Sequence, residues 1–263
     1  MASYDIDAIR QAGFEVIQEE MIRYADDEFA TGYLSWGFNS PEEQRAEAQF
    51  ALERMGLVSG SSVLDIGCGN GTASVRLAQC GMKATAVDIS PVFIEAAREL
   101  ERESGLSESV TWTCADFFTF RCPPHDAAVL LDPGLPAATP RFVSRISELV
   151  KPGGMFFLRY KDGINARMSL SQSRWSCADG QAAFALEQHR FDQQTGRFMD
   201  EWITIDLPAK TVRVRRMERR AVLFPDFVEL MSTHGFSLQG TWADVKGSPV
   251  ADDSRLYALF AKV

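Results

Sequence analysis

The chain of 263 residues holds only three histidines, has no CxxC pair among its five cysteines, and carries no excess of basic charge. Each scarcity excludes something. His125, His189 and His234 lie far apart, and without paired cysteines no metal site is expected. Cys68, Cys80, Cys114, Cys122 and Cys177 are odd in number and sit mostly inside apolar patterns, so a reducing cytoplasm fits better than a disulfide framework. A net charge of -9 argues against affinity built on phosphate neutralisation, so no nucleic-acid partner is expected. The first twenty residues include Asp5, Asp7, Glu15, Glu19 and Glu20 and no continuous apolar run. They read as neither signal peptide nor membrane span, and no membrane partner is expected. No internal repeat or low-complexity tract is visible. What remains is an ordinary globular composition, 46% hydrophobic and 24% charged, long enough for one large α/β domain with an elaboration.

Ile6, Ile9, Gly13, Val16, Ile17, Met21 and Tyr24 recur at helical spacing, which predicts one amphipathic helix over 4–28. Ser40, Pro41 and Glu43 give an N-cap, a first-turn proline and a capping-box acid for a second helix that stops at Gly56. Between them the segment from Tyr33 to Phe38, rich in aromatics and glycine, reads as an irregular loop, either folded onto the core or acting as a lid. From Val63 short apolar runs alternate with helices, the signature of βαβ repetition and a parallel sheet: SVLDI, TAVDI, VTWTC, AAVLLD and MFFLRY are the strands. Residues 163–183 are polar with little periodicity. FALEQHRF, MDEWITIDL and TVRVRRMERRAVL then read as an antiparallel insert, PDFVELMSTHGF as a helix capped by Gly235, and the last two apolar runs as an edge hairpin.

A parallel sheet seats small ligands at the carboxyl ends of its strands. There stand Asp65 and the glycines Gly67, Gly69 and Gly71, whose missing side chains admit a sharp turn and a close backbone approach. The spacing is one residue short of a nicotinamide-dinucleotide fingerprint, with no glycine in the last place, which disfavours an oxidoreductase. The next strand ends in Asp88, 23 residues on, where a carboxylate can accept ribose hydroxyls. The third ends in Asp116 and Phe117, an acid and an aromatic suited to adenine. Asp65 is a poor core residue unless something balances it, and a ligand ammonium would do so.

Through VLDIGCGNGT, AVDIS, CADFF, LLDPG and KPGG, in that order over about 57–160, the chain resembles the class I S-adenosylmethionine-dependent methyltransferases. The resemblance implies a doubly wound, mostly parallel seven-stranded Rossmann-like sheet. It places an N-terminal helical cap at 1–57, the cofactor-binding core at 58–162, the antiparallel insert at 163–222, and a C-terminal helix with strands completing the core at 223–263. It implies S-adenosylmethionine as donor and S-adenosylhomocysteine as product, held by Asp65, Gly67, Gly69, Gly71, Asp88, Ile89, Asp116, Phe117 and Asp132. The insert is expected either to roof the acceptor site or to join subunits of a homo-oligomer.

Transfer to an amine needs an unprotonated acceptor; transfer to a hydroxyl usually needs a base. After Asp132 and Pro133 the chain lacks the second proline and aromatic of base-modifying amino-methyltransferases, and it has no Asp-Asn pair like that of metal-dependent catechol enzymes. The expected reaction is therefore metal-free N- or O-methylation of a small molecule, by analogy a secondary metabolite. A macromolecular acceptor and a non-catalytic cofactor-binding protein are the alternatives. Tyr33, Trp36, Pro133 and Tyr160 are candidate acceptor contacts, Tyr160 and His189 the weak catalytic candidates. A packed role is as plausible for Tyr160, and an outward structural one more so for His189. His125 reads as a solvated loop residue and His234 as a complement to a helix dipole. The arginines at 213, 215, 216, 219 and 220 read as a charge-matched sheet facing Asp200, Glu201 and Asp206 rather than a phosphate surface.

Overall fold

The computed structural model describes residues 5–19, 25–35, 40–131, 138–160, 172–177, 183–192, 194–220, 222–250 and 256–263. In chain order the elements are α1 (Ile6–Gln11), β1 (Glu15–Glu19), α2 (Asp27–Ser35), α3 (Pro41–Met55), β2 (Ser62–Ile66), α4 (Thr72–Gln79), β3 (Lys83–Asp88), α5 (Pro91–Glu103), β4 (Val110–Cys114), β5 (His125–Leu130), α6 (Pro140–Leu149), β6 (Val150–Tyr160), β7 (Gln172–Cys177), β8 (Ala183–Asp192), β9 (Arg197–Asp206), β10 (Thr211–Arg220), α7 (Phe224–Thr233), β11 (Phe236–Trp242) and β12 (Leu256–Lys262). They form two compact units. One takes its described residues from 24–30, 39–165 and 222–263, the other from 1–23, 31–38 and 166–221.

The larger unit is a seven-stranded sheet in the order β11-β12-β6-β5-β2-β3-β4. Strands β2 to β6 run parallel, and β12 and β11 close one edge as the expected antiparallel hairpin. Period-two alternation sends Leu64 and Ile66 of β2 to one face, with Phe156 and Leu158 of β6 and the apolar stripes of α6 and α7. Val63 goes to the other face, with Phe157, Leu259 and the stripes of α3 and α4. Asp65 shares Val63's parity, so its side chain lies on the α3/α4 side.

The helix signals work as physical chemistry requires. Ser40 Oγ accepts from Glu42 N at 3.2 Å and Pro41 occupies the first turn of α3, while Gly56 ends the helix at φ +62. Ser90 Oγ accepts from Phe93 N at 3.3 Å to start α5. At the end of α7, His234 Nδ1 lies 3.0 Å from the Leu230 carbonyl, which places the ring against the last turn of the helix.

The smaller unit is a five-stranded sheet in the order β1-β10-β9-β8-β7. Strands β7 to β10 are antiparallel neighbours, and β1 joins β10 in parallel, Glu15 opposite Thr211 through Glu19 opposite Arg215. Leu186, Ile203, Val212 and Val214 make one face, covered by Ile9, Phe14 and Val16. Arg216 pairs with buried Glu201, and Arg215 Nε reaches Glu19 Oε2 at 2.8 Å. The arginines at 213, 215 and 216 thus stand in a charge-matched sheet, with Glu19 of β1 as a partner the sequence reading did not name.

Four expectations are corrected here. Residues 4–28 are not one helix: α1 stops at Gln11, Gly13 turns at φ +86, and the β-branched pair Val16 and Ile17 enters a strand. Tyr33 to Ser35 are not loop but the end of α2, which Asp26 opens by accepting from Phe29 N at 2.8 Å. The polar stretch 163–183 contains β7. His125 is not solvated: it opens β5, is buried, and its Nε2 lies 3.0 Å from Thr85 Oγ1.

Candidate active site

The carboxyl ends of β2 and β3 bring the expected acids together. Asp65 is 2% exposed, and its Oδ2 accepts from Ser74 Oγ of α4 at 2.5 Å. Burial raises its pKa to about 6, against the Ser74 hydrogen bond and with the help of the Asp88 charge. Among the described residues no donor reaches its other oxygen. An acid pushed up by desolvation and left with an open oxygen at a cleft fits a cationic ligand group.

The glycine loop differs from position to position. Gly67, Gly69 and Gly71 adopt φ of +64, +53 and +79, a region closed to most side chains. A Cβ on Gly67 or Gly69 would meet nothing within 4 Å, so these two face open space where a ligand can lie against the backbone. A Cβ on Gly71 would stand 2.6 Å from both Ala97 Cβ and Trp112 Cη2, so this glycine serves close helix packing. The Gly67 and Cys68 amides both donate to the Val87 carbonyl, at 2.8 and 3.1 Å, which ties the loop to β3. Burial, then the Asp65 charge, pushes the Cys68 thiol well up, so it stays protonated.

Asp88 braces the same loop. Its Oδ2 accepts from Gly69 N and its Oδ1 from Ser90 N, both at 2.9 Å. Each oxygen keeps a second lone pair, which is what two ribose hydroxyls require. Burial raises its pKa, and the Ser90 and Gly69 amides oppose the rise. Ile89 beside it is 43% exposed, an apolar side chain held at the surface next to the acid. Asp116 is half-buried, and its Oδ1 accepts from Phe118 N at 2.8 Å.

Phe117 is corrected: it is 4% exposed and packs on Phe142 at 5.3 Å, so its ring belongs to the core rather than to an adenine face. Tyr160 is likewise placed in the packed role. It is buried, its hydroxyl donates to the Val222 carbonyl at 2.7 Å, and its ring stacks on Phe227 at 5.0 Å. His189 lies on β8 opposite Asp200 of β9, in the smaller unit, where Tyr33 also sits, its ring 5.7 Å from that of Trp202. Trp36, Asp132 and Pro133 lie outside the described residues.

Sequence reasoning placed α3 but missed its part in the cleft. Gln44 and Glu47, one turn apart, line one cleft with Asp65, Gly67, Cys68, Ala73 and Leu131. Glu47 is 3% exposed, and its Oε1 accepts from Arg159 Nη1 at 2.8 Å and from Tyr257 Oη at 2.6 Å. The signal that could have found it is a glutamate on the apolar stripe between Ala48, Ala51 and the N-cap.

Comparison with known proteins agrees with this geometry. Residues 63–154 match the family model described as a methyltransferase domain. The chain is 30% identical over 232 residues to malonyl-(acyl-carrier protein) O-methyltransferase of Pectobacterium atrosepticum, covering 84% of this chain and 81% of that one. It is 30% identical over 148 residues to a ubiquinone biosynthesis O-methyltransferase of Xylella fastidiosa, covering 54% of this chain and 58% of the relative. In fold it matches the CcbJ methyltransferase from Streptomyces caelestis, with TM-score 0.70, 15% identity, and coverage of 88% and 95%. It also matches the S-adenosylmethionine-bound amino pentose methyltransferase CalS10 from Micromonospora echinaspora, with TM-score 0.58, 15% identity, and coverage of 93% and 100%. With its buried acid, open glycine turn and second carboxylate in one order along one parallel sheet, the chain belongs to the class I S-adenosylmethionine-dependent methyltransferases.

Proposed function

We propose that this enzyme methylates a nitrogen or oxygen of a small molecule of the secondary-metabolite kind, with S-adenosylmethionine held by Asp65, Gly67, Gly69, Asp88, Ile89 and Asp116. The observation that carries the donor assignment is Asp65, a buried carboxylate with one oxygen turned to an open glycine-lined cleft. When bound, the donor supplies a methyl group on a sulfonium, displaced in line by the acceptor. The chain's own residues then bind and align. Asp65 accepts from the ammonium, Asp88 from the ribose, and the bare backbone at Gly67 and Gly69 lets the amino-acid tail lie close. Alignment of this kind is worth effective molarities of about 10⁵ to 10⁸ M where the geometry is good.

The acidic whole chain supports a small acceptor over a nucleic acid. The named relatives support two acceptor classes: oxygen acceptors from the O-methyltransferases and amino sugars from the fold neighbour. One relative acts on an acyl group attached to a carrier protein, so a carrier-bound acid is the second reading. The test is S-adenosylhomocysteine release across amines, amino sugars, phenols, free carboxylic acids and their carrier-bound thioesters. Turnover of a free small molecule supports the proposal. Turnover confined to the carrier-bound acids replaces it with the second reading, and release with none refutes both.

A further inference from the structure

The cleft beside Asp65 holds more acceptor oxygen than one acid provides. Glu47 spends Oε1 on Arg159 and Tyr257, and among the described residues no donor reaches its Oε2. Gln44, three residues earlier on the same face of α3, has its Oε1 buried with no hydrogen-bond partner. Asp65 likewise keeps one oxygen open. All three line one cleft with Gly67. A buried acceptor without a donor, such as Gln44 Oε1, is rare because it forfeits its hydration, and with the open carboxylate oxygens of Glu47 and Asp65 lining the same space it calls for a ligand that brings several donors.

A primary ammonium brings three N–H donors and a positive charge. Among the described residues two acids and one arginine, Asp65, Glu47 and Arg159, give this side of the cleft a net charge of about -1, which such a group neutralises. A buried ion pair is by itself a poor source of stability, so the Glu47–Arg159 pair makes more sense as a holder of a charged oxygen in a fixed orientation. Arg159 and Tyr257 grip Oε1 from β6 and β12, which aims Oε2 away from them.

We propose that Glu47 and Gln44 are donor-binding residues that complete, with Asp65, a three-oxygen seat for the α-ammonium of the methyl donor. The inference rests on the donor assignment above and adds the α3 side of the site to it. It makes α3, not only the glycine loop, a determinant of donor recognition. A donor-like ligand without its amino group then loses most of its hold.

The probes are S-adenosylhomocysteine and its deaminated analogue, titrated by calorimetry into the wild-type chain, Glu47→Gln and Gln44→Leu. Charged hydrogen bonds of this kind are worth about ten- to a hundredfold each in affinity. Wild type is expected to bind the parent about a hundredfold or more tighter than the deaminated analogue. Glu47→Gln keeps an oxygen for Arg159 and Tyr257 and is expected to weaken the parent about ten- to a hundredfold, with the deaminated ligand unchanged. Gln44→Leu, at a half-buried site, is expected to show the same selective loss at several-fold. Equal losses on both ligands in both variants, or no loss in either, overturn the inference while leaving the donor assignment intact. A wild-type chain that binds neither ligand overturns the donor assignment and this inference with it.

Discussion

Asp65 sets function against stability within a single side chain. Its folded pKa of about 6 stands above its ordinary value, so the folded chain holds the proton more tightly than the unfolded one. The sign follows. Stability is largest below the ordinary carboxylate range, declines as pH rises toward about 6, and stays reduced above it. The reduction at neutral pH is on the order of 3 kcal/mol. Asp65→Asn removes the charge and keeps an oxygen for Ser74. It is expected to raise the melting temperature of the ligand-free protein by several degrees at pH 8 and not at pH 3.5, while weakening S-adenosylhomocysteine at least a hundredfold. Melting curves at the two pH values, with calorimetry alongside, check both halves. Binding by the wild type should itself weaken as pH falls through about 6, because an ammonium needs the ionised acid. His125 works in the opposite sense. Burial lowers its pKa, so the unfolded chain gains a proton first and stability falls as pH drops below the ordinary histidine range.

The three glycines make a second residue-scale contrast. Gly71→Ala drives a methyl into Ala97 and into Trp112, whose Nε1 is held by Glu101 Oε2 at 2.8 Å and does not yield easily. Overpacking and the positive φ together are expected to destabilise by about 2–4 kcal/mol. Gly67→Ala meets only the backbone strain, about 1–2 kcal/mol, yet puts its methyl into the ligand's space. Urea denaturation should therefore rank Gly71→Ala as the worse fold and calorimetry should show Gly67→Ala losing affinity out of proportion to stability.

At the scale of elements, α3 is tied to the sheet by charge as well as by its apolar stripe. Arg159→Met leaves Glu47 buried without its arginine, and the expected loss is about 3–5 kcal/mol in urea denaturation. Glu47→Gln, which keeps a neutral acceptor for the same arginine, should lose less. That pair was not legible in the sequence, because 112 residues separate its members and neither belongs to a motif. What was legible came from local rules. The strands from SVLDI to MFFLRY are short apolar runs, most of them buried on both faces, Ser40 and Ser90 cap their helices, and Asp65, Gly67, Gly69 and Asp88 meet at the strand ends because βαβ topology puts them there. Local rules also misled. The apolar residues from Ile6 to Ile17 keep a helical period, but Gly13 at positive φ breaks the helix and a distant partner, β10, decides that Val16 and Ile17 extend. Phe117 and Tyr160 stand where a ligand contact belongs by order along the chain. Which way an aromatic turns at a strand end is settled by packing, and Phe142 and Phe227 settled it inward.

At the scale of the whole molecule, chain order and spatial order part company in the smaller unit. Its five-stranded sheet draws β1 from the start of the chain and the other four strands from 172–220. Strand β1 does two jobs there. It pairs the edge of β10 over five residues, and with Ile9 and Phe14 its Val16 covers the apolar face built by Leu186, Ile203, Val212 and Val214. An uncovered edge strand over an uncovered apolar face is the combination most prone to pair with another molecule. Deleting residues 1–19 is therefore expected to make the chain self-associate more than the full-length one, with β10 as the new edge and Glu19 gone from beside Arg215. Light scattering on the truncated and full-length chains at matched concentration is the measurement. A truncated chain that stays as monodisperse as the full-length one would mean that β1 neither protects the edge nor seals the face. A milder change reads the two jobs apart. Val16→Lys keeps the backbone pairing but places a charge against Val212 and its neighbours, so it should lower the melting temperature without creating a free edge.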